Sequence, residues 1–221
     1  MKPIDYLHLQ MELEGIKRCG NNLITRISPD VGGFPLVLLA HMLDEQKFVY
    51  FDNSLPSALY SKLTSDNLEL FKTESAVELF DLFGISTKSG QSKTYIFPDS
   101  FAITDVGNVK CFGQDDPKVV TFGFNGLADK IFAIEQDGMI LSACVSSRQN
   151  SKSAEAWVYT HPDHRRKGLA QQAVTAWAGS LQRDGIIPFY SHEVGNINSA
   201  NLAGKLNLIH IFDETVIEKS V

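Results

Sequence analysis

The sequence predicts an α/β protein: a mixed sheet with helices on both faces in the second half, preceded by a smaller α+β region. Three observations predict it. Past residue 130 the signals run hairpin, strand, helix, strand, helix, strand, the order expected of a mixed sheet covered by helices. Asp137-Gly138 stands between two apolar runs, a strong hairpin signal. The pattern also weakens twice, at the linker-like stretch STKSGQS (86–92) and across the polar, glycine-containing 105–118. The chain is therefore expected to divide into 1–100, an α+β region of unassigned role, and 101–221, the α/β domain.

In order, residues 4 to 18 carry Tyr6, Leu9, Leu13 and Ile16 at three- and four-residue spacing, which predicts a helix. Phe34 to Met42 and Lys47 to Phe51 read as strands around the polar turn Asp44-Glu45-Gln46. Asn53-Ser54-Leu55-Pro56 reads as a helix start, with proline in the first turn. Glu74 to Phe83 predicts a short helix closed by Gly84, and Thr94 to Phe97 a strand. Lys130 to Glu135, Met139 to Ser146 and Ala154 to Thr160 are strands. Leu169 to Arg183 is a helix with Ala170, Ala173, Val174, Trp177 and Leu181 on one face. Ile187 to His192, Ser199 to Leu206 and Ile209 to Ile217 complete the series as strand, helix and a final strand or strand pair. The N-terminal aromatics Phe48, Tyr50, Phe51, Phe71, Phe80 and Phe83 are core composition and name no ligand.

Among 221 residues, 20 are Lys or Arg and 26 Asp or Glu, a net charge of −6 that argues against a general nucleic-acid binder. Cys19, Cys111 and Cys144 are odd in number and far apart, so neither a disulfide framework nor a paired metal site is expected. They read as small buried side chains in a reducing compartment. The first residues lack the apolar core of a signal peptide, and PLVLLAHML is too short to cross a bilayer. A cytoplasmic protein without membrane contact is the expectation.

Within that acidic chain, Arg165, Arg166 and Lys167 stand directly before Gly168 at the start of a helix. A helix N-terminus has unsatisfied amides and a dipole that repels cations but attracts anions. Three cations there point to an anion, and a phosphate is held by such amides. Gly168 and Ala170 bring no bulky side chain against it. Neither G-x-x-x-x-G-K-[ST] nor G-x-G-x-x-G is present, so the phosphate belongs to neither of those nucleotide motifs. The plain alternative is a solvated charge run.

Arg165-x-x-Gly168-x-Ala170, following a strand that ends Val158-Tyr159-Thr160-His161-Pro162, resembles the acetyl-CoA-binding motif of the GNAT superfamily of N-acetyltransferases. Asn196-Ile-Asn-Ser199, then Leu202 and Lys205-Leu-Asn-Leu208, is similar to the superfamily's later strand-to-helix element, with Asn207-Leu208 in place of Gly-Phe. The resemblance covers roughly residues 130–217. It implies a GNAT-like domain using acetyl-CoA as co-substrate, without metal. The pantetheine arm would bond main-chain groups along Val158, Tyr159 and Thr160. The pyrophosphate would take the amides from Arg165 through Arg166, Lys167, Gly168 and Leu169 to Ala170. Asn196 and Ser199 would flank the arm, and Lys205 would meet the nucleotide end.

Acetyl transfer to an amine needs a base for the ammonium and a proton for the departing thiolate. The resemblance points to Glu155, at the start of the central strand, as base; its bland reading is a solvent-facing strand-edge carboxylate. Relatives place a tyrosine in the last helix where this chain has Ala203, which leaves Tyr190, His192 or water as acid. The acceptor would be a small-molecule or peptide amine, and a homodimer is left open. The competing reading is a non-catalytic acyl-CoA-sensing module. His161 and His164 have metal-like spacing without further ligands nearby, so they read as loop histidines.

Overall fold

The computed structural model describes residues 1–27, 34–65, 73–99, 101, 106–124, 126 and 128–220. Phe71 lies outside them. The described chain forms two compact units. The first is Met1–Thr94 with Glu193–Gly195 and His210–Val221; the second is Tyr95–His192 with Asn196–Ile209. The expected division near residue 100 falls close to the end of the first segment, but the C-terminal strand pairs with the N-terminal region.

In the first unit, α1 (Pro3–Leu13) opens with the Lys2 amide donating to the Asp5 carboxylate at 2.8 Å. The helix expected over 4–18 stops earlier because Gly15 turns left-handed at φ 77°. Ile16 therefore begins β1 (Ile16–Arg18), which pairs antiparallel with β2 (Leu23–Arg26). β3 (Pro35–Met42) and β4 (Lys47–Asp52) form the expected hairpin, followed by α2 (Ser57–Ser65) and α3 (Thr73–Leu82). The stretch expected as linker is instead part of β5 (Thr87–Ile96). Its side chains are mostly exposed, so the strand needs no apolar alternation. It is held by its ladder to β11 (Ile209–Lys219), with Lys88–Glu218 and Lys93–Asp213 ion pairs across it. Strand order in this unit is β1-β2-β4-β3-β11-β5. Leu36, Val37, Leu39, Phe51, Leu59, Leu63, Phe80 and Ile217 make its core.

The second unit orders its strands β10-β9-β8-β7-β6. β6 (Lys110–Phe112) arises inside the polar stretch and α4 (Pro117–Phe122) starts at its end, capped by the Asp116 carboxylate on the Lys118 amide. β7 (Ile131–Gln136) and β8 (Met139–Gln149) meet through Asp137 (φ 52°) and Gly138 (φ 82°). Positive φ at both residues is the primed turn that the Asp-Gly pair predicts. β9 (Ser153–Thr160) leads to α5 (Leu169–Arg183), then β10 (Ile187–Glu193) and α6 (Ile197–Lys205). Helices do cover both faces. One face buries Trp177, Ala173, Val174, Ala178, Tyr190, Ala203 and Leu206; α4 covers the other with Val119, Phe124, Ile131, Ala133, Ala143 and Val145. Of the cysteines only Cys144 is buried; Cys19 and Cys111 lie exposed because their segments sit at strand ends and an edge strand. No described helix is long and apolar enough to cross a membrane.

Candidate functional site

The site grows from an interruption in the sheet. β10 pairs parallel with β9 only through Ile187↔Ser153, Pro188↔Ala154 and Phe189↔Glu155. Beyond Glu155, β9 continues its ladder with β8 as far as Thr160, while its other edge leaves β10. Ala156 to Thr160 thus present main-chain groups to an opening rather than to a strand. Backbone N–H and C=O groups need partners. An extended ligand with amides can supply them as an added strand does.

At the far end of that opening the chain turns into α5. Pro162–His164 form one 3₁₀ turn, with the His161 imidazole accepting from the Asp163 amide at 3.4 Å. The His161 and His164 rings pack edge to face. Arg165 folds back on the strand: its Nε donates to the Thr160 carbonyl at 3.2 Å and its guanidinium lies 5.9 Å from the Tyr159 ring centre. Arg166 (φ 62°) and Gly168 (φ 79°) both take left-handed backbone, so the loop bends sharply into the helix. Gly168 is favoured by that φ; space does not demand it, since nothing lies within 4 Å of where its Cβ would be. The first intrahelical bond runs from the Gln172 amide to the Gly168 carbonyl, so the preceding amides face out of the helix end. Arg166 and Lys167 are exposed beside them.

On α6, the Asn196 carboxamide accepts from the Ser199 amide at 3.1 Å and caps the helix. Lys205 is exposed, and its carbonyl receives the Gln171 side chain, tying α6 to α5. Tyr190 is 2% exposed and its hydroxyl donates to the Ser199 carbonyl at 3.4 Å. Burial pushes its phenol up from the ordinary value, the Ser199 side chain partly opposing. Ala203 sits one turn after Ser199 in the same core cluster. His192 is buried, stacked on Tyr95 at 5.5 Å and edge-on to Tyr190.

Glu155, Trp157 and Tyr159 alternate onto the opposite face, toward α4. Glu155 is not the solvent-facing carboxylate of the plain reading; its side chain is 12% exposed and pairs with the half-exposed Arg148 at 3.0 Å. The Arg148 partnership has no local signal in the sequence. Ser146 stands opposite Ala156, but a bulge at Ser147 then sets Arg148 opposite Glu155. Without the extra residue Arg148 would face Ala154 and point to the core side. Trp157 (43% exposed) stacks on Phe124 at 4.8 Å, and Tyr159 (39%) meets Phe122 edge to face at 5.5 Å. A separate cavity of about 560 Å³, lined by Lys130, Ser146, Arg148, Trp177, Ser180 and Asp184, lies at the other end of α5 and includes neither the opening nor the Arg165–Ala170 loop.

The sequence-predicted residues therefore fall into three groups. Val158, Tyr159, Thr160 and the loop from Arg165 to Ala170 form one continuous strand-to-helix edge. Asn196, Ser199 and Lys205 line up along α6, with Tyr190 joined to them through Ser199. Glu155 stands on the other face.

Residues 131–213 match the family model described as GNAT acetyltransferase. No curated protein sequence matches the chain. Among solved structures, an acetyltransferase from the GNAT family of Colwellia psychrerythraea is 15% identical, with TM-score 0.50 over 80% of this chain and 77% of its own. A GCN5-related N-acetyltransferase-like protein from Streptococcus suis is 14% identical, with TM-score 0.50 over 85% of each chain. A Drosophila protein is 14% identical, with TM-score 0.51 over 99% of this chain and 88% of its own. At these identities the likeness is one of fold, and it reaches well into the N-terminal half. The interrupted β9–β10 ladder and the glycine-started α5 both lie within residues 131–213, the stretch that matches the GNAT acetyltransferase model.

Proposed function

We propose that this protein transfers an acetyl group from acetyl-CoA directly to the amine of an acceptor. The observation that carries the reading is the β9–β10 opening that runs into the outward-facing amides of the Gly168 helix start. Val158, Tyr159 and Thr160 hold the pantetheine arm through their main chain. The amides from Arg165 to Ala170 hold the pyrophosphate, with Arg166 and Lys167 adding charge. Asn196, Ser199 and Lys205 border the arm and the nucleotide end. Bound acetyl-CoA supplies an activated thioester carbonyl.

Glu155 takes the proton from the acceptor ammonium. The new C–N bond then forms as the C–S bond breaks; a proton goes to the leaving sulfur, and the nitrogen's second proton, shed as it becomes an amide, returns through solvent to the group that protonated the sulfur. Tyr190 supplies that proton: burial keeps its phenol protonated, and its hydroxyl reaches the α6 turn just before Ala203. His192, packed behind it, is the second candidate. Burial also pushes the Cys144 thiol well up, so it is held as thiol and poorly suited to a covalent intermediate. Ala203, with no hydroxyl, is the one feature that favours the competing reading of a non-catalytic acyl-CoA sensor.

Thermal unfolding with ligands tests the reading. CoA or acetyl-CoA at 100 times its dissociation constant should stabilise the fold by about 2.7 kcal/mol, whereas ATP and NAD should leave it unchanged. Stabilisation by ATP and none by CoA would sink it. Release of free thiol with a panel of amines separates the enzyme from the sensor, which binds and does not turn over.

A further inference from the structure

We infer that the acceptor is a free aromatic α-amino acid, held by Arg148 through its carboxylate and by Trp157 through its ring, with its α-amine at Glu155. The inference rests on the transfer reading above and names the substrate of that same site. Three features of one face support it. Arg148 is half-exposed, and its guanidinium already lies 3.0 Å from the Glu155 carboxylate. A guanidinium carries five donors in a planar fork and can hold a second carboxylate beside the first. A ligand bearing an ammonium and a carboxylate on one carbon would satisfy both partners of this pair at once: its carboxylate on Arg148, its ammonium on Glu155. An α-amino acid has that arrangement; a polyamine or a simple alkylamine does not.

The third feature selects the side chain. Glu155 and Trp157 are two residues apart on one strand face, so they stand about 6.6 Å from each other. An amine held at the carboxylate thus has a ring on its next carbon directed along the strand within reach of the indole. Phe124 holds the indole of Trp157 nearly parallel, with an interplanar angle of 15°, which fixes its plane. Even so, 43% of the residue remains exposed. Aromatic pairs add to simple burial when they stack offset or meet edge to face. Tyr159, propped by Phe122 and Arg165, extends the aromatic wall along the strand. Phe189, fully buried, is the register partner of Glu155 in the β9–β10 pair.

Acetyl-CoA-dependent thiol release by the full chain tests this with five acceptors: phenylalanine, phenylalanine amide, phenethylamine, alanine and spermidine. Phenylalanine should have the highest kcat/KM, at least about tenfold above each of the others, the size of one lost charged or stacking contact. Arg148→Met should bring phenylalanine down to the level of phenylalanine amide, and Trp157→Ala should bring it toward alanine. Melting temperature and CoA-induced stabilisation, read on both variants, separate a lost contact from a lost fold. If phenylalanine amide or spermidine matches phenylalanine in the wild type, the inference is overturned while acetyl transfer stands. An unchanged acceptor ranking in Arg148→Met overturns it as well. If CoA neither binds nor is released with any acceptor, the transfer reading itself fails and takes the inference with it.

Discussion

The two faces of β9 differ by a single alternation of side chains, yet they carry different kinds of residue. One face bears Ala154, Ala156 and Val158, small groups packed against the cluster around Trp177. The other bears Glu155, Trp157 and Tyr159, the carboxylate in an ion pair and the aromatics partly in solvent. Small side chains on the first face let α5 and its N-terminal loop lie close to the strand end, where the pyrophosphate is proposed to sit. Larger and chemically varied side chains on the second face meet whatever approaches the strand from the α4 side. The difference suits the division of labour proposed above, in which one face supports the co-substrate edge and the other selects and deprotonates the acceptor. Each prediction below tests whether the two roles separate.

The largest expected effect is on the second face. Glu155→Gln keeps the shape and the contact with Arg148 but accepts no proton at neutral pH. Turnover should fall by roughly 10²–10⁴-fold, the usual contribution of a positioned base. CoA-induced stabilisation should stay as in the wild type, because the Arg165–Ala170 loop is untouched. Near-normal turnover in the Glu155→Gln enzyme would move the base to water or another group.

The mirror experiment is on the first face. Gly168→Asp places a carboxylate where the pyrophosphate is proposed to sit and asks a Cβ-bearing residue to hold φ 79°. Asp tolerates left-handed backbone better than most residues, so the fold should persist while CoA affinity falls by about ten- to a hundredfold, or ~1.4–2.8 kcal/mol. Calorimetric titration with CoA, alongside circular dichroism, reads the two separately. Undiminished CoA affinity in the folded variant would remove this loop as the pyrophosphate site.

How much of this division is legible in the sequence follows from what each element depends on. α5 matches its expected bounds because its apolar face and its glycine start are local signals. The Asp137-Gly138 turn is equally local. α1 reads too long because Ile16 keeps the helical spacing while Gly15 breaks the backbone. β5 reads as a linker since its stability comes from a ladder to a strand far along the chain. The Arg148–Glu155 pair depends on the bulge at Ser147, and a bulge is an agreement between two strands that neither strand announces alone. Phe122 and Phe124 escape notice because α4 has only six residues, too few to show a period.

A third prediction probes the support behind the first face. Glycine inside a helix usually costs about 1 kcal/mol relative to alanine, so Gly179→Ala on α5 would ordinarily stabilise. Here an added Cβ would lie 2.5 Å from the Phe101 carbonyl oxygen, a backbone atom that cannot swing aside. The substitution should therefore destabilise, by about 1–3 kcal/mol as for other overpacked sites. Urea denaturation gives the sign directly. A gain in stability for Gly179→Ala would mean that the backbone at Phe101 yields at no cost.

The smallest effect is expected at Tyr190, where the first face meets α6. Tyr190→Phe keeps the ring in the core and removes only the 3.4 Å bond to the Ser199 carbonyl. Stability at neutral pH should drop by about 0.5–1.5 kcal/mol, the net worth of one such bond. Turnover should fall only about tenfold, below the usual 10²–10⁴ for a proton donor, because a thiolate departs with little help. The pH dependence distinguishes a buried phenol from an exposed one. Burial raises the folded pKa above the ordinary value of about 10, so the folded state keeps its proton where the unfolded chain releases it. That stabilisation is fully present below pH 10 and is lost as pH climbs from there through the raised folded value. Wild-type stability should consequently decline more steeply than that of Tyr190→Phe in denaturation series above pH 10, and the two slopes should agree below it. Parallel curves across the whole range would place the hydroxyl in water and return the proton donor's role to His192.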